Sequence, residues 1–147
     1  MESSLQYSIL KDLQIILIYF YGIVSIDQFI EHYKTVTQDP DYNAEFNTIT
    51  DFRDADFSFN RRDIIRFAEL VKTSLHSVAN RRISLLSDKP KQTALSLLYI
   101  LNTKDLPFTV NVNSTLTSAV IWALLPGNKT EFISGQFAKM KKASSAV

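Results

Sequence analysis

Three carboxylates fall within six residues, at Asp51, Asp54 and Asp56, with Arg53 among them. Oxygen ligands at such spacing can hold a hard cation such as Mg²⁺. They can equally cap backbone N–H groups or pair with a neighbouring cation. The second use is the expected one: Asp51 caps backbone N–H groups, Arg53 pairs with a nearby carboxylate, and no metal is expected. The two histidines, His32 and His76, sit on helical stretches among polar neighbours and read as surface residues. No H-E-x-x-H or Gly-x-Ser-x-Gly pattern occurs. With only three glycines, at 22, 127 and 135, the chain has no dinucleotide or phosphate loop. It has no cysteine, which removes thiol nucleophiles, disulfides and thiolate zinc sites together. No catalytic set is recognisable, no cofactor is expected, and the chain reads as a non-enzyme.

The acidic residues still occupy an informative place. Asp51 falls at the carboxyl end of an expected strand, where open α/β sheets bind ligands. A phospho-acceptor pocket of the receiver type would need an acidic pair after an early strand. Gly22-Ile23-Val24 stands there instead.

The elements that position these residues follow from hydrophobic periodicity. Gln6–Leu10 and Gln14–Tyr21 read as two strands, close enough for an antiparallel hairpin. Gly22 is expected to break the second strand. A helix follows from Ser25, with Ser25 and Gln28 in capping-box spacing and Ile26, Phe29, Ile30, Tyr33 and Val36 on one face. Asp39-Pro40 stops it. Asn47–Phe52 reads as the third strand, and the polar loop from Arg53 to Phe59 leads to Asn60, an N-cap. Ile64, Ala68, Val71, Leu75 and Val78 then mark a second helix. Arg82–Leu86 is a fourth strand. A third helix follows, with Pro90 in its first turn and an expected inner stripe of Ala94, Leu97, Leu98 and Leu101. Phe108–Val112 is a fifth strand, and Asn113 or Ser114 caps a helix carrying Leu116, Ala119, Val120 and Ala123. The order β-β-α-β-α-β-α-β-α predicts an α/β fold with a mixed, mostly parallel sheet of about five strands and four core helices. Residues 1–128 read as one domain. Residues 129–147 read as an extension, a short helix with Phe132, Ile133, Phe137 and Met140 on one side and then a disordered basic end.

Composition narrows the partners. A chain of 147 residues fits one domain able to bury a core without disulfides or metals. Sixteen Lys and Arg balance fifteen Asp and Glu, which gives no electrostatic case for nucleic acid. The first residues lack a basic leader, and the apolar run from Leu13 to Val24 is too short to span a bilayer. A cytoplasmic protein without a stable membrane anchor is expected. The basic end offers at most weak contact with a membrane surface. The run is nevertheless unusual, because Leu13–Tyr21 is apolar at both parities. A sheet covered on one side alternates with polar residues, so something must cover the second face. The alternatives are further helices, the C-terminal tail, a second copy of the chain, or a lipid-like ligand.

Three segments resemble a known family. They are "YGIVSIDQFIEHYKTVTQDPDY", a strand, glycine, capped helix and Asp-Pro stop; "ITDFRDADFSFNRRDI", a strand ending in an Asp-hydrophobe-Arg turn before a long helix; and "NVNSTLTSAVIWALLP", a final strand and a short helix bearing Trp122. Together they resemble the STAS-like superfamily of anti-sigma-factor antagonists, and more narrowly the small bacterial STAS-like proteins that carry the lipid-binding SEC14-type name. The resemblance runs from about Gln6 to Pro126. It implies a regulatory module that binds a protein partner or forms a homodimer, with a contact surface around Asp51, Arg53 and Asp54. It also implies a phosphorylation site at Ser58, since antagonists of this type are phosphorylated on a serine near the start of the corresponding helix. The chain departs from the family's Asp-Ser-x-Gly signature there, with Asp56-Phe57-Ser58-Phe59. The SEC14-type name, with ten Phe and six Tyr in the chain, points alternatively to a carrier or sensor of a small apolar molecule.

Overall fold

The computed structural model describes residues 4–74 and 79–145. One sheet contains β1 (Leu5–Leu10), β2 (Ile15–Val24), β3 (Asn47–Phe57), β4 (Arg82–Leu86) and β5 (Thr109–Asn113), in the same order in space as in the chain. β1 and β2 pair antiparallel across a one-turn 3₁₀ helix at Lys11–Leu13, and every later neighbour is parallel. The helices are α1 (Ile26–Thr37), α2 (Arg61–Lys72), α3 (Pro90–Thr103), α4 (Leu116–Trp122) and α5 (Thr130–Ser145). The expected mixed, mostly parallel α/β sheet is therefore present. Leu75, His76 and Val78 lie outside the described residues.

Sequential strand order decides how the helices are shared between the faces. Each parallel pair needs a crossover. Each crossover advances one place in the same direction, so right-handed connections put α1, α2 and α3 on one face. Ile16, Phe20 and Val24 of β2 meet Phe29 and Tyr33 of α1, Phe67 of α2 and Leu95 of α3 there, in a first core. The opposite parity of β2 (Ile15, Leu17 and Tyr19) enters a second core with Ile49, Ala119 and Val120 of α4, and Ile133, Phe137 and Met140 of α5. The strand is apolar at both parities because helices cover both of its sides. Where a short helix and a disordered basic end were expected, α5 runs sixteen residues and carries Lys139, Lys141 and Lys142. Its buried side makes it part of the core.

Local chemistry sets the boundaries. Ser25 accepts from the Gln28 N–H while the Gln28 side chain accepts from the Ser25 N–H, the reciprocal box that starts α1. Asn60 and Asp63 make the same exchange at α2. Gly22 does not break β2. It adopts φ +71° inside the strand, with nothing within 4 Å of a would-be Cβ, so its backbone freedom matters and not its small size. β2 continues to Val24, which pairs with Phe57. The segment read as a loop from Arg53 thus becomes the second half of β3.

β3 also carries a bulge. The register passes from Tyr19 opposite Asp51 to Tyr21 opposite Asp54, so Phe52 and Arg53 together face Phe20. An extra residue reverses the alternation of a strand. Phe52 faces the first core before it, and Ala55 and Phe57 face that core after it. Asp51 and Asp54, three apart, consequently share the second face.

β4 ends opposite Asp51, so the later carbonyls of β3 have no strand on that side. Lys89 Nζ and Gln92 Nε2 both donate to the Ala55 carbonyl, and Lys91 Nζ donates to that of Phe57. This demand helps orient α3. Gln92, Leu95, Ser96 and Thr103 are buried, whereas Ala94, Leu97 and Leu101 of the expected inner stripe are exposed. Leu98, the remaining member of that stripe, does pack against the first core. α3 is apolar on most sides, and periodicity alone misplaces most of its inner face.

Candidate functional site

A cavity of about 130 Å³ lies between the sheet and α1, α2 and α3. Its floor is Ile16, Ile18 and Phe20 of β2, Thr48, Thr50 and Phe52 of β3, and Ile83 and Leu85 of β4. Its roof includes Phe29, Tyr33, Phe67, Leu95 and Tyr99. The walls are aromatic rings in mutual contact. Phe29 meets Phe67 edge-on at 4.9 Å between centroids, Phe52 meets Phe57 at 4.9 Å, and Phe57 stacks on Phe59 at 4.6 Å. An engineered apolar cavity of about 150 Å³ stays dry and admits benzene, so this space is large enough for part of an apolar ligand.

The cavity is not uniform along its length. Phe57 and Phe59 line it toward the carboxyl ends of the strands, while Thr48, Tyr42 and Arg81 gather where β3 and β4 begin. Arg81 Nη1 donates to Thr48 Oγ1 at 3.2 Å, and the guanidinium lies 5.8 Å from the centre of the Tyr42 ring. Arg81 Nε and Tyr42 Oη are both buried without a hydrogen-bond partner among the described residues. Burial raises the Tyr42 pKa, and the charge of Arg81 opposes that rise. Among the described residues, no carboxylate lines the cavity. His32 also lines it. Its Nε2 is 2.7 Å from Ser4 Oγ, its ring rests 5.7 Å from that of Phe20, and desolvation lowers its pKa. The surface placement expected of His32 is therefore corrected; α1 turns it inward over β1 and β2. Tyr99 is held protonated well above the usual tyrosine range by burial.

On the other face the acidic residues are engaged within the chain. Asp51 is 2% exposed. Its Oδ1 accepts from the backbone N–H and Nε of Arg53, both at 3.0 Å, and its Oδ2 accepts from Arg53 Nη2 at 2.9 Å. This pairing raises the Arg53 pKa. Tyr19 Oη donates to Asp54 Oδ2 at 2.7 Å, and Lys141 of α5 approaches the same oxygen at 3.6 Å. Burial first, and then the bond to Asp54, push the Tyr19 pKa far up. Asp56 pairs with Lys89 at 3.1 Å. The three carboxylates thus serve three different cations, and among the described residues they form no metal-binding cluster.

No protein-family model and no curated protein matches the chain. A solved structure from Shewanella loihica PV-4, an uncharacterised protein of the DUF3478 family with a SpoIIAA-like fold, is similar to it with a TM-score of 0.52 and 10% sequence identity. The match covers 81% of this chain and 91% of that one. The fold is SpoIIAA-like, which is the STAS-like fold. At that identity the likeness carries the fold alone.

Within this STAS-like fold, the residues singled out in the sequence do not form one site. Asp51, Arg53 and Asp54 come together on the second face, at the bulge. Ser58 lies beyond them, exposed, with its N–H and its Oγ both donating to the Val24 carbonyl at 3.0 and 3.3 Å. It stands two residues before the Asn60 cap of α2. Sequence reasoning missed Tyr42, Thr48 and Arg81. A weak signal was available in Thr48 and Thr50, whose shared parity in the strand puts them on one face, and both line the cavity. Among the described residues, no helix is long and apolar enough to cross a membrane.

Proposed function

We propose that the chain is a cytoplasmic, non-enzymatic STAS-like domain that binds a small apolar molecule between its sheet and α1 to α3. The observation that carries this reading is the aromatic-walled cavity. Protein interiors normally close such space. Here a continuous ring-lined volume is kept open under three helices, with polar groups confined mainly to its margins. The test is gentle purification followed by mass spectrometry of what denaturation releases, comparing wild type with the cavity-filling variant Leu85→Phe. An apolar molecule released from wild type and missing from the variant supports the reading. Identical extracts, together with no melting shift on adding octanol or decanol, would overturn it.

A second reading, regulated contact with a protein partner, is supported by the exposure of Ser58 just ahead of α2. A phosphate there would meet the N-terminal end of a helix and the exposed Arg61 and Arg62. The engagement of Asp51 and Asp54 within the chain gives those two residues a structural role and leaves Ser58 as the main contact candidate. Phosphorylation at Ser58 in protein isolated from its native cells, with a partner lost on Ser58→Asp, supports this reading. Unmodified Ser58 and unchanged association, whether with itself or another protein, would remove it.

A further inference from the structure

We infer that the ligand of this cavity is an apolar amphiphile whose single carboxylate binds at Arg81 and Tyr42. The inference rests on the apolar-ligand reading and adds the head group and its location.

Three observations converge on one end of the cavity. Among the described residues, Arg81 is the only permanently charged one that lines it, and it has no ion-pair partner. One guanidinium nitrogen is satisfied by Thr48, but Nε is buried without an acceptor. Tyr42 Oη, in the same corner, is buried against Arg81 and makes no hydrogen bond of good geometry among the described residues. Leaving such donors unpaired costs free energy, and an acceptor carrying negative charge recovers the most. A carboxylate fits best, because its two oxygens match the guanidinium fork. One cation also balances its single charge, whereas a phosphate carries nearly two at neutral pH.

The rest of the cavity describes the ligand's body. From Thr48 to Phe52 the floor follows β3 for about 13 Å at the usual strand rise. Aromatic rings flank the space, and Phe57 and Phe59 line the end opposite Arg81.

The test uses the full chain with decanoate and its neutral counterpart decanol, titrated by calorimetry at fixed ionic strength. Wild type is expected to bind decanoate about 10- to 100-fold more tightly than decanol, the range for a hydrogen-bonded charged group. Arg81→Gln is expected to abolish that preference, lowering decanoate affinity far more than that of decanol. Tyr42→Phe, which removes only a hydroxyl, is expected to weaken decanoate severalfold, and it keeps the question answerable if Arg81→Gln fails to fold. Equal affinities for decanoate and decanol in wild type, unaltered by either substitution, would overturn the carboxylate inference and leave the apolar-ligand reading standing. Binding of neither compound would overturn both.

Discussion

The two faces of the sheet are built from different materials. The first face is covered by the three crossover helices and lined by aromatic rings, and it holds a cavity. The second is covered by α4 and α5. Its most deeply buried side chains are small or aliphatic (Ile15, Leu17, Ile49, Ala119, Val120 and Ile133), each at most 1% exposed; Tyr19 and Phe137 add rings to this core, and none of these residues lines the cavity. β2 serves both faces with one sequence. The contrast teaches that hydrophobicity alone does not make a core solid. The second face reads as a structural foundation, the first as a container.

The comparison can be broken by substitution. Phe137→Ala should be the most damaging change, because it opens a hole in the second core and loosens α5, which packs on β1 and β2 on that side. The expected loss is about 3–5 kcal/mol, read by chemical denaturation. A loss below about 1 kcal/mol would show that α5 is not integral to the fold. Ala119→Leu adds volume where α4 touches β4 and Ser84 Oγ donates to the Ala119 carbonyl. Overpacking there should cost about 1–3 kcal/mol. The corresponding enlargement on the first face, Leu85→Phe, should instead stabilise by about 0.5–2 kcal/mol, because there is space to fill. If Ala119→Leu and Leu85→Phe shift the melting temperature in the same direction, the two faces do not differ in packing as described.

The smallest expected effect concerns pH. Desolvation at the cavity wall lowers the His32 pKa below 6.5, its ordinary value. Between those two values the unfolded chain binds more protons than the folded one. The contribution of neutral His32 is present above about pH 6.5 and is lost as pH falls toward the folded value. Wild type should therefore lose stability relative to His32→Gln on acidification through that window. Parallel melting curves for the two proteins would return His32 to the surface role its sequence suggested.

Much of the fold was legible because its signals are local. Ser25 with Gln28, and Asn60 at the head of α2, announce helix starts through side-chain bonds to backbone within three residues. Strand β4 is bounded in the sequence as it is in the structure, Arg82–Leu86. The failures share one cause, which is partners distant in the chain. Arg53 to Phe57 looks like a polar loop until β2 continues past Gly22 and pairs with it. The inner side of α3 depends on the β3 carbonyls that Gln92 and Lys91 must satisfy. The cavity was foreshadowed by the number of aromatic residues and no further. Its polar corner joins Tyr42, from the segment after α1, to Arg81, nearly forty positions later. Neither residue sits in a pattern that marks it.

The sequential order of the strands has a consequence for how the protein is made. α4 and α5 follow the entire sheet in the chain, and α5 packs on β1 and β2, more than a hundred residues earlier. On a ribosome, all five strands and the three crossover helices emerge while one side of β2 is still bare. That face of the sheet presents Ile15 and Leu17 of β2 and Ile49 of β3 to whatever is nearby. Contacts of such long range form slowly, and exposed apolar surface of this kind is what chaperones bind and what drives aggregation. The vulnerable interval in the life of this protein is the delay between completing its sheet and docking α5.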